Sequence, residues 1–279
     1  MPSKSFPDLD AHEELSNKKQ IKVLSWNLWW KFENYLDRQD LIFDELKKLN
    51  PDLLCLQEVW EDSDHSQAKV IAELFGYEYA YSKSFEIDGV SFGNAIVSKF
   101  PILKFSSNLI PTPSEFNENS TLLHAEVNYD NAKIDILCTH LNYKHEQSDV
   151  RQNQVAYILE YISKLKNSEF PFILCGDFNA DPLSDEIMQI TGLKSSKTRT
   201  VLRDAWQITN RDDPGYTWSN INNYAKKTLE VDRRIDYIFV GKPTKKGSGH
   251  PIKSLLVGTS PNDNIYPSDH FGIMSYLEG

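Results

Sequence analysis

Apolar residues along the chain fall into short runs that alternate with segments of helical periodicity. Ten runs have strand length and are bounded by turn residues: IKVLSW, DLLCLQEV, YEYAYS, NAIVSKF, LLHAEVNY, KIDILCTHL, FPFILCG, RIDYIFVG, HPIKSLLVG and HFGIMSYL. Helical spacing predicts helices over residues 35–49, 66–76, 147–166 and 185–190. Several strands are joined by short turns, as antiparallel neighbours allow. This order favours an α+β fold of two mixed β-sheets packed face to face, with helices outside, over one parallel sheet.

The N-terminal segment differs from the remainder of the chain. Residues 1–20 are polar and lack the continuous apolar core of a secretory signal, so we predict a disordered or loosely docked tail. No repeat, low-complexity tract or linker divides residues 21–279, which we predict to form one domain. No apolar run approaches the roughly 20 residues that a membrane-spanning helix needs, so we expect no stable membrane insertion.

Composition and charge restrict the class of protein. Of the 279 residues, 40% are hydrophobic and 25% are charged, as in an ordinary globular protein. Proteins that bind long stretches of nucleic acid usually carry a basic face. The net charge of −10 does not suggest such a face. Short basic groups at 194–199, 226–227, 233–234 and 242–246 are interpreted as solvent-exposed surface.

The three cysteines carry no metal-type spacing. Cys55, Cys138 and Cys175 each lie inside an apolar run, which predicts buried free thiols and a reducing compartment. We therefore expect a cytoplasmic protein, with a secreted form as the alternative. We also expect a monomer.

Polar residues that can carry chemistry stand at the ends of several apolar runs. Four runs lead directly into Asn, Glu, His or an Asp-Phe-Asn segment, and two later runs open on Asp or Asp-His. Because the end of one strand lies beside the start of its antiparallel neighbour, these residues can meet at one edge of the sandwich. They are Asn27, Glu58, His140, Asp177, Asn179, Asp236, Asp269 and His270.

Gathered carboxylates repel one another unless a cation offsets their charge. Oxygen ligands of this kind suit Mg²⁺. Such an ion can polarise a phosphoryl oxygen and lower the pKa of a nucleophilic water. The pattern therefore predicts a divalent-metal site that acts on a phosphate ester.

Six short motifs in order carry a family resemblance. They are SWN at 25–27, LQEV at 56–59, THL at 139–141, GDFN at 176–179, RIDYIFV at 234–240 and SDHFG at 268–272. Together they resemble the endonuclease/exonuclease/phosphatase superfamily, with the deoxyribonuclease I-like fold, over nearly all of the chain after the tail. The closing segment resembles that of small bacterial members. The resemblance implies a four-layer αββα sandwich and hydrolysis of phosphate esters with Mg²⁺ or Mn²⁺.

The same resemblance implies a metal environment. Glu58 would be the principal metal ligand, Asn27 would lie beside it and hold metal-bound water or phosphate, and Asp269 would complete the environment.

The resemblance also implies five catalytic residues. Asp177 and Asn179 would orient the attacking water and the phosphoryl group. His270 would be a general base or an electrostatic clamp, held in one tautomer by Asp236. His140 would stabilise charge on the scissile phosphate or protonate the leaving group.

The motifs leave the substrate open, because superfamily members cleave DNA, RNA, phosphoinositides, sphingomyelin and nucleotide adducts. Apurinic-site endonucleases usually carry an acid soon after the first Asn, whereas Leu-Trp-Trp-Lys follows Asn27, which argues against a repair endonuclease. No membrane-docking segment supports a sphingomyelinase. Trp29 and Trp30 are interpreted as packing residues, with a place at the substrate mouth as the alternative.

We expect a phosphodiesterase or nuclease acting on nucleic acid or a nucleotide-like diester. One alternative is a phosphomonoesterase or a lipid or inositol headgroup phosphatase. The alternative from another class is a non-catalytic binding module that has kept the fold.

Overall fold

The computed structural model describes residues 19–116, 119–165 and 169–279. Within these ranges the strands are β1 (Gln20–Asn27), β2 (Leu53–Glu61), β3 (Glu78–Ile87), β4 (Val90–Ser98), β5 (Ile102–Leu109), β6 (Thr121–Tyr129), β7 (Ala132–His140), β8 (Ile173–Asp177), β9 (Arg203–Asp204), β10 (Asp236–Val240), β11 (Pro251–Val257) and β12 (Gly272–Glu278). The helices are α1 (Tyr35–Leu49), α2 (Gln67–Phe75), α3 (Ser148–Lys164), α4 (Asp185–Thr191) and α5 (Ala205–Thr209). Short 3₁₀ turns cover Ser114–Phe116 and Ala225–Thr228.

The strands form two six-stranded sheets. The first has the order β11-β12-β1-β2-β4-β3, and the second has the order β5-β6-β7-β8-β10-β9. Each sheet is mixed, because β1–β2 and β7–β8 run parallel whereas the other neighbours run antiparallel. The predicted pair of mixed sheets is confirmed.

Three apolar layers hold the four structural layers together. Side chains of both sheets fill the central layer, among them Ile21, Val23, Leu123, Ile136 and Ile238. Helices α1 and α2 cover the outer face of the first sheet through residues such as Ile42, Leu46 and Ile71. Helices α3 and α4 cover the outer face of the second sheet through residues such as Val155, Ile158 and Ile187. The four-layer αββα sandwich that the resemblance implied is therefore confirmed.

Burial on both faces explains the continuous apolar runs. Every residue of β8 and of β10 is buried, because one sheet face meets the other sheet and the opposite face meets a helix. Cys55, Cys138 and Cys175 all lie in the central layer as free, buried thiols. The prediction made for the three cysteines is confirmed.

Helix boundaries follow the local chemistry of the sequence. Helix α1 ends at Asn50, which adopts a left-handed conformation before Pro51. Helix α2 begins after Ser66, whose side chain accepts a hydrogen bond from the Lys69 amide, and ends at left-handed Gly76.

Strand β5 was missed in the sequence because its pattern is weak. Its residues Leu103, Phe105 and Leu109 are exposed, and polar residues separate them, so neither continuous burial nor clean alternation marks the strand. As the edge of the second sheet among the described residues, β5 pairs with β6 alone. The two-residue strand β9 and the short helix α5 also escaped prediction.

The β3–β4 hairpin is longer than predicted. The runs YEYAYS and NAIVSKF extend to a two-residue turn at Asp88 and Gly89, both in the left-handed region. The additional residues carry Phe85 and Phe92 to the end of the sandwich at which the strand ends gather.

The strand pairing brings the chemical residues to that end. Parallel β1 and β2 place Asn27 opposite Gln57, and parallel β7 and β8 place His140 opposite Asp177. Antiparallel β10 places Asp236 opposite Asp177. Strand β12 is antiparallel to β1, so the Asp-His pair that precedes it reaches the same end.

The predicted tail of residues 1–20 falls almost entirely outside the described residues, and the single-domain boundary at residue 21 stays a prediction. Among the described helices, none has the length and apolar character required to span a bilayer.

Candidate active site

One cavity collects most of the predicted site residues. It has a volume of about 860 Å³, and six of the eight predicted residues line it: Glu58, His140, Asp177, Asn179, Asp269 and His270. The remaining two, Asn27 and Asp236, are fully buried directly behind this lining. The structure therefore brings all eight residues together.

Glu58 stands at an irregularity of β2. The pairing of β2 with β4 shifts between Leu56 and Val59, and Glu58 adopts a left-handed φ of 52°. A non-glycine residue in this region stores backbone strain, which proteins keep mainly at functional sites. The bulge interrupts the regular alternation of the strand, and Glu58 lines the cavity.

Asn27 orients two carboxylates. Its Oδ1 accepts a hydrogen bond from the Trp29 amide at 2.9 Å, which turns Nδ2 toward the cavity. Nδ2 donates to Glu58 Oε1 and to Asp177 Oδ2, both at 3.1 Å. A ligand role for Asn27 would require its oxygen and nitrogen to exchange places.

Asp177 is the centre of the hydrogen-bond network. Its Oδ1 accepts from the Asn179 amide at 2.9 Å. Its Oδ2 accepts from Asn27 and also lies 3.5 Å from His140 Nε2 and 3.7 Å from His270 Nε2. The end of β8 thus presents one carboxylate oxygen between an amide and two imidazoles.

Asn179 adopts a left-handed φ of 50° directly after β8. Its Nδ2 donates to the Leu141 carbonyl at 3.0 Å, so the side chain ties the end of β8 to the segment after β7. This contact fixes Asn179 at the cavity wall beside Asp177.

His270 and Asp236 form a buried pair. His270 Nδ1 lies 2.9 Å from Asp236 Oδ2, and Trp218 packs edge-on against the imidazole with ring centroids 5.0 Å apart. Burial alone would lower the pKa of His270, but the charges of Asp236 and Asp177 outweigh it and raise that pKa well above its usual value. Burial raises the pKa of Asp236, against the lowering effect of the imidazolium. The charge of each group therefore favours the charged form of the other, and Nδ1 of His270 is held at Asp236.

Asp269 is a buried carboxylate at the same end of the cavity. Burial and the negative charge of Glu58 raise the pKa of Asp269 to about 7, although His270 and Arg38 act in the opposite direction. Glu58 and Asp269 would hold a divalent cation, whose positive charge would favour the ionised form of Asp269. These are hard oxygen donors, so the residues fit Mg²⁺ or Mn²⁺.

One wall of the cavity is aromatic. The ring of His140 stacks on Phe92 with centroids 6.1 Å apart, and Phe92 stacks on Phe85 at 4.5 Å. Phe85 is 39% exposed, so the stack runs from the histidine to the mouth. Trp29 also lines the cavity, whereas Trp30 packs behind the lining against Phe92 and donates its indole N–H to the Ser91 carbonyl.

Another part of the cavity lining is charged. Arg233 donates to Asp181 Oδ2 at 3.0 Å and to the Asn179 carbonyl at 3.3 Å, which fixes its guanidinium at the mouth. Its neighbour Arg234 is buried and paired with Asp204 at 2.7 Å. The interpretation of this arginine pair as solvent-exposed surface is therefore wrong.

Sequence reasoning also missed the aromatic stack and a fully buried arginine in α1, Arg38. The signal for Arg233 and Arg234 was their position directly before the buried strand β10. No comparable signal marked Phe85, because its hairpin was predicted too short.

The two packed mixed sheets, with the polar residues gathered at one end of them, are the fold and site of the deoxyribonuclease I-like class. The family model described as Endonuclease/Exonuclease/phosphatase family matches residues 24–270, and the chain belongs to that family.

Curated relatives show that the family spans different substrates. Inositol phosphosphingolipids phospholipase C from Schizosaccharomyces pombe is 26% identical over 92% of this chain and 68% of its own length. Tyrosyl-DNA phosphodiesterase 2 from Danio rerio is 26% identical over 94% of this chain and 68% of its own length. Protein angel homolog 2 from Bos taurus is 31% identical over 62% of this chain, and this match spans about a third of that relative, 32%.

The solved structures support the fold. The D. rerio TDP2 structure complexed with single strand DNA product superimposes with a TM-score of 0.76 and 23% identity, covering 94% of this chain and 100% of that chain. At this identity the similarity shows a shared fold.

Proposed function

We propose that the protein is a divalent-metal-dependent phosphodiesterase that hydrolyses nucleic acid or a nucleotide-like diester, with Mg²⁺ or Mn²⁺ as cofactor. The observation that carries the proposal is the placement of Asp177 Oδ2 between Asn27 and the two imidazoles of His140 and His270. Such a centre can accept a proton on one side and stabilise a phosphate on the other.

Glu58 and Asp269 would hold the metal ion, with Asn27 setting the direction of the Glu58 carboxylate. The ion would supply Lewis acidity toward a phosphoryl oxygen. The raised pKa of Asp269, about 7, supports this assignment, because burial and the Glu58 charge both disfavour an unaccompanied carboxylate there.

The remaining residues would act on the substrate directly. Asp177 would orient the attacking water and take its proton, and Asn179 would hold the phosphoryl group. His270, kept as an imidazolium by Asp236, would bind a negatively charged phosphate oxygen. His140 would stabilise charge on the scissile phosphate or protonate the leaving group.

The aromatic wall favours a substrate with a planar group. The rings of Phe92 and Phe85 continue outward from His140, so a group attached to the leaving oxygen would meet them first. Bases stack on such rings without sequence preference. This supports a nucleotide-like diester and agrees with the phosphodiesterase named among the relatives.

A lipid headgroup diester is the second candidate substrate. The phospholipase C relative covers 92% of this chain, and the apolar wall of the cavity can accept part of a lipid. Two other functions stay as alternatives: hydrolysis of a phosphomonoester, and metal-free binding without catalysis. We further propose that the protein is a monomer. We also propose a reducing compartment such as the cytoplasm, because the three buried thiols are free.

A substrate panel tests these proposals. The purified chain is incubated with and without Mg²⁺ on oligonucleotides, a generic aryl phosphodiester, inositol phosphosphingolipid, and a set of sugar and inositol phosphates. Metal-dependent cleavage of oligonucleotides supports the leading proposal. Cleavage of the lipid alone favours the second candidate, phosphate release alone favours a monoesterase, and no turnover at all favours a binding module.

A further inference from the structure

Arg38 is a fully buried arginine whose guanidinium donates only to the main chain. Nε donates to the carbonyl of Phe32 at 3.2 Å, and Nη1 donates to those of Leu28 at 3.0 Å and Pro267 at 3.1 Å. Nη2 donates to the carbonyls of Trp29, Trp30 and Phe32 at 2.9, 3.1 and 2.7 Å. A buried charge is costly, and this one is retained with every nitrogen hydrogen-bonded.

These carbonyls belong to two segments that flank the active site. One is the loop at 28–32, which follows Asn27 and holds Trp29 and Trp30 in left-handed conformations, φ 57° and 37°. The other is the segment before β12, in which Pro267 stands two residues before Asp269. Left-handed conformations at consecutive tryptophans are costly and need outside contacts to hold them. Arg38 supplies those contacts and joins the two segments through one rigid side chain.

The joined segments orient the metal-side residues. The Trp29 amide holds Asn27 Oδ1, and the Trp30 amide donates to the Glu58 carbonyl at 3.0 Å. On the other segment, Ser268 Oγ donates to the Asn27 carbonyl at 2.7 Å. A shift of either segment would therefore be transmitted to Asn27, Glu58 and Asp269 together.

We propose that Arg38 is a positioning residue that sets the relative placement of Glu58 and Asp269 for metal binding and turnover; this rests on the proposed function. The guanidinium fits five carbonyls because its donors form a planar fork, which a lysine ammonium does not reproduce. A role limited to stability would leave the metal affinity of the folded protein unchanged.

The test compares Arg38→Lys with Leu46→Ala in the full chain. Leu46 is buried on the same helix and packs in the outer apolar layer, so its truncation destabilises α1 while the hydrogen bonds of Arg38 stay in place. Mn²⁺ binding is measured by calorimetry, and kcat and KM are measured on a substrate that the wild type cleaves. Both are recorded at a temperature at which circular dichroism shows each variant folded.

For Arg38→Lys we expect the Kd for Mn²⁺ to rise at least ~10-fold and kcat to fall on the order of 10²-fold. KM should change far less, because a small misplacement of the site residues acts mainly on the reacting groups. Leu46→Ala is expected to keep the wild-type Mn²⁺ affinity and kcat. Wild-type Mn²⁺ affinity in folded Arg38→Lys overturns the proposal. Should Arg38→Lys not fold, Arg38→Gln is measured in the same way, and a wild-type Mn²⁺ affinity in that folded variant overturns the proposal. A wild type that binds Mn²⁺ but cleaves nothing contradicts the proposed function, while the comparison of Mn²⁺ affinities still decides the role of Arg38.

Discussion

Asp177 is the carboxylate on which the side chains of the site converge. Oδ1 is held by the Asn179 amide, which leaves Oδ2 to face Asn27, His140 and His270. Against the lowering effect of burial, the charges of Asp236 and Asp177 raise the pKa of His270 well above its usual value, which favours the protonated ring. Of the two roles implied for His270, this favours the electrostatic clamp, and it leaves Asp177 as the group able to accept a proton.

Replacing Asp177 by Asn should lower kcat at least ~10²-fold, because an amide of the same shape accepts no proton. His270→Ala should lower kcat to a similar extent through loss of the clamp. Initial rates at saturating Mg²⁺ measure both effects, and circular dichroism checks that the variants are folded. Asp44→Asn and His65→Ala change exposed side chains away from the cavity and should retain wild-type rates. Wild-type rates in either site variant would mean that its role is misassigned.

Asp269 links the metal site to the pH dependence of stability. Its pKa is raised from 3.8 to about 7 in the folded chain, chiefly by burial. Between these two pH values the folded state holds a proton that the unfolded state has released. The unfolding free energy therefore falls as pH rises through this window and levels off above it.

Asp269→Asn should remove the loss of unfolding free energy that metal-free wild type shows as pH rises through this window. In EDTA, the unfolding free energy of the variant minus that of the wild type should increase by up to about 3 kcal/mol from pH 5 to pH 8, because each pKa unit corresponds to 1.36 kcal/mol. Urea denaturation at the two pH values measures the change. With saturating Mg²⁺ the wild type should become the more stable of the two proteins, because only the wild type keeps the Asp269 carboxylate that would bind the ion. An equal stability difference at both pH values in EDTA would contradict the assignment.

At the scale of elements, close approach between strands explains the glycine of the GDFN motif. A Cβ on Gly176 would lie 2.2 Å from the Thr139 carbonyl oxygen of β7. The parallel pairing that places His140 opposite Asp177 therefore requires glycine at this position. The β3–β4 hairpin is the second element that shapes the site, because it carries the aromatic wall.

Phe85→Ala tests the hairpin as a substrate wall. It should lower kcat/KM for a dinucleotide by about 10-fold, because stacking of one base is worth ~1–3 kcal/mol. The abasic analogue, with the same diester and no base on the leaving side, should be cleaved equally by variant and wild type. Phe105→Ala, an exposed ring on β5, is the matched control and should change neither rate. Equal losses on both substrates would show that Phe85 acts without stacking.

For the whole molecule, the sequence predicted the buried strands from their apolar runs and the site residues from the polar residues at strand ends. Continuous apolar runs marked the strands buried on both faces, and their polar ends marked the eight residues that meet at the cavity. The exposed edge strand β5 and the end of the hairpin carried no such pattern. The role of Arg38 could not be predicted, because its partners are main-chain carbonyls, which every residue type carries.

The proposed metal site should also make the stability of the folded chain depend on the divalent ion. Ligand that binds only the native state stabilises it by RT ln(1 + [L]/Kd), about 2.7 kcal/mol at 100 times Kd. Mg²⁺ or Mn²⁺ should therefore raise Tm in a concentration-dependent manner, and EDTA should reverse the rise.

Glu58→Gln distinguishes this site from general ion effects. The variant keeps the size of the side chain and removes a ligand charge, so the metal concentration for half-maximal stabilisation and activity should rise at least ~10-fold. Glu61→Gln lies on the same strand outside the cavity and should behave as wild type. Thermal melts across a Mn²⁺ titration measure the shift. A Tm that responds equally in wild type and Glu58→Gln would place the ion elsewhere, and a Tm that does not respond in the wild type would favour the metal-free binding module.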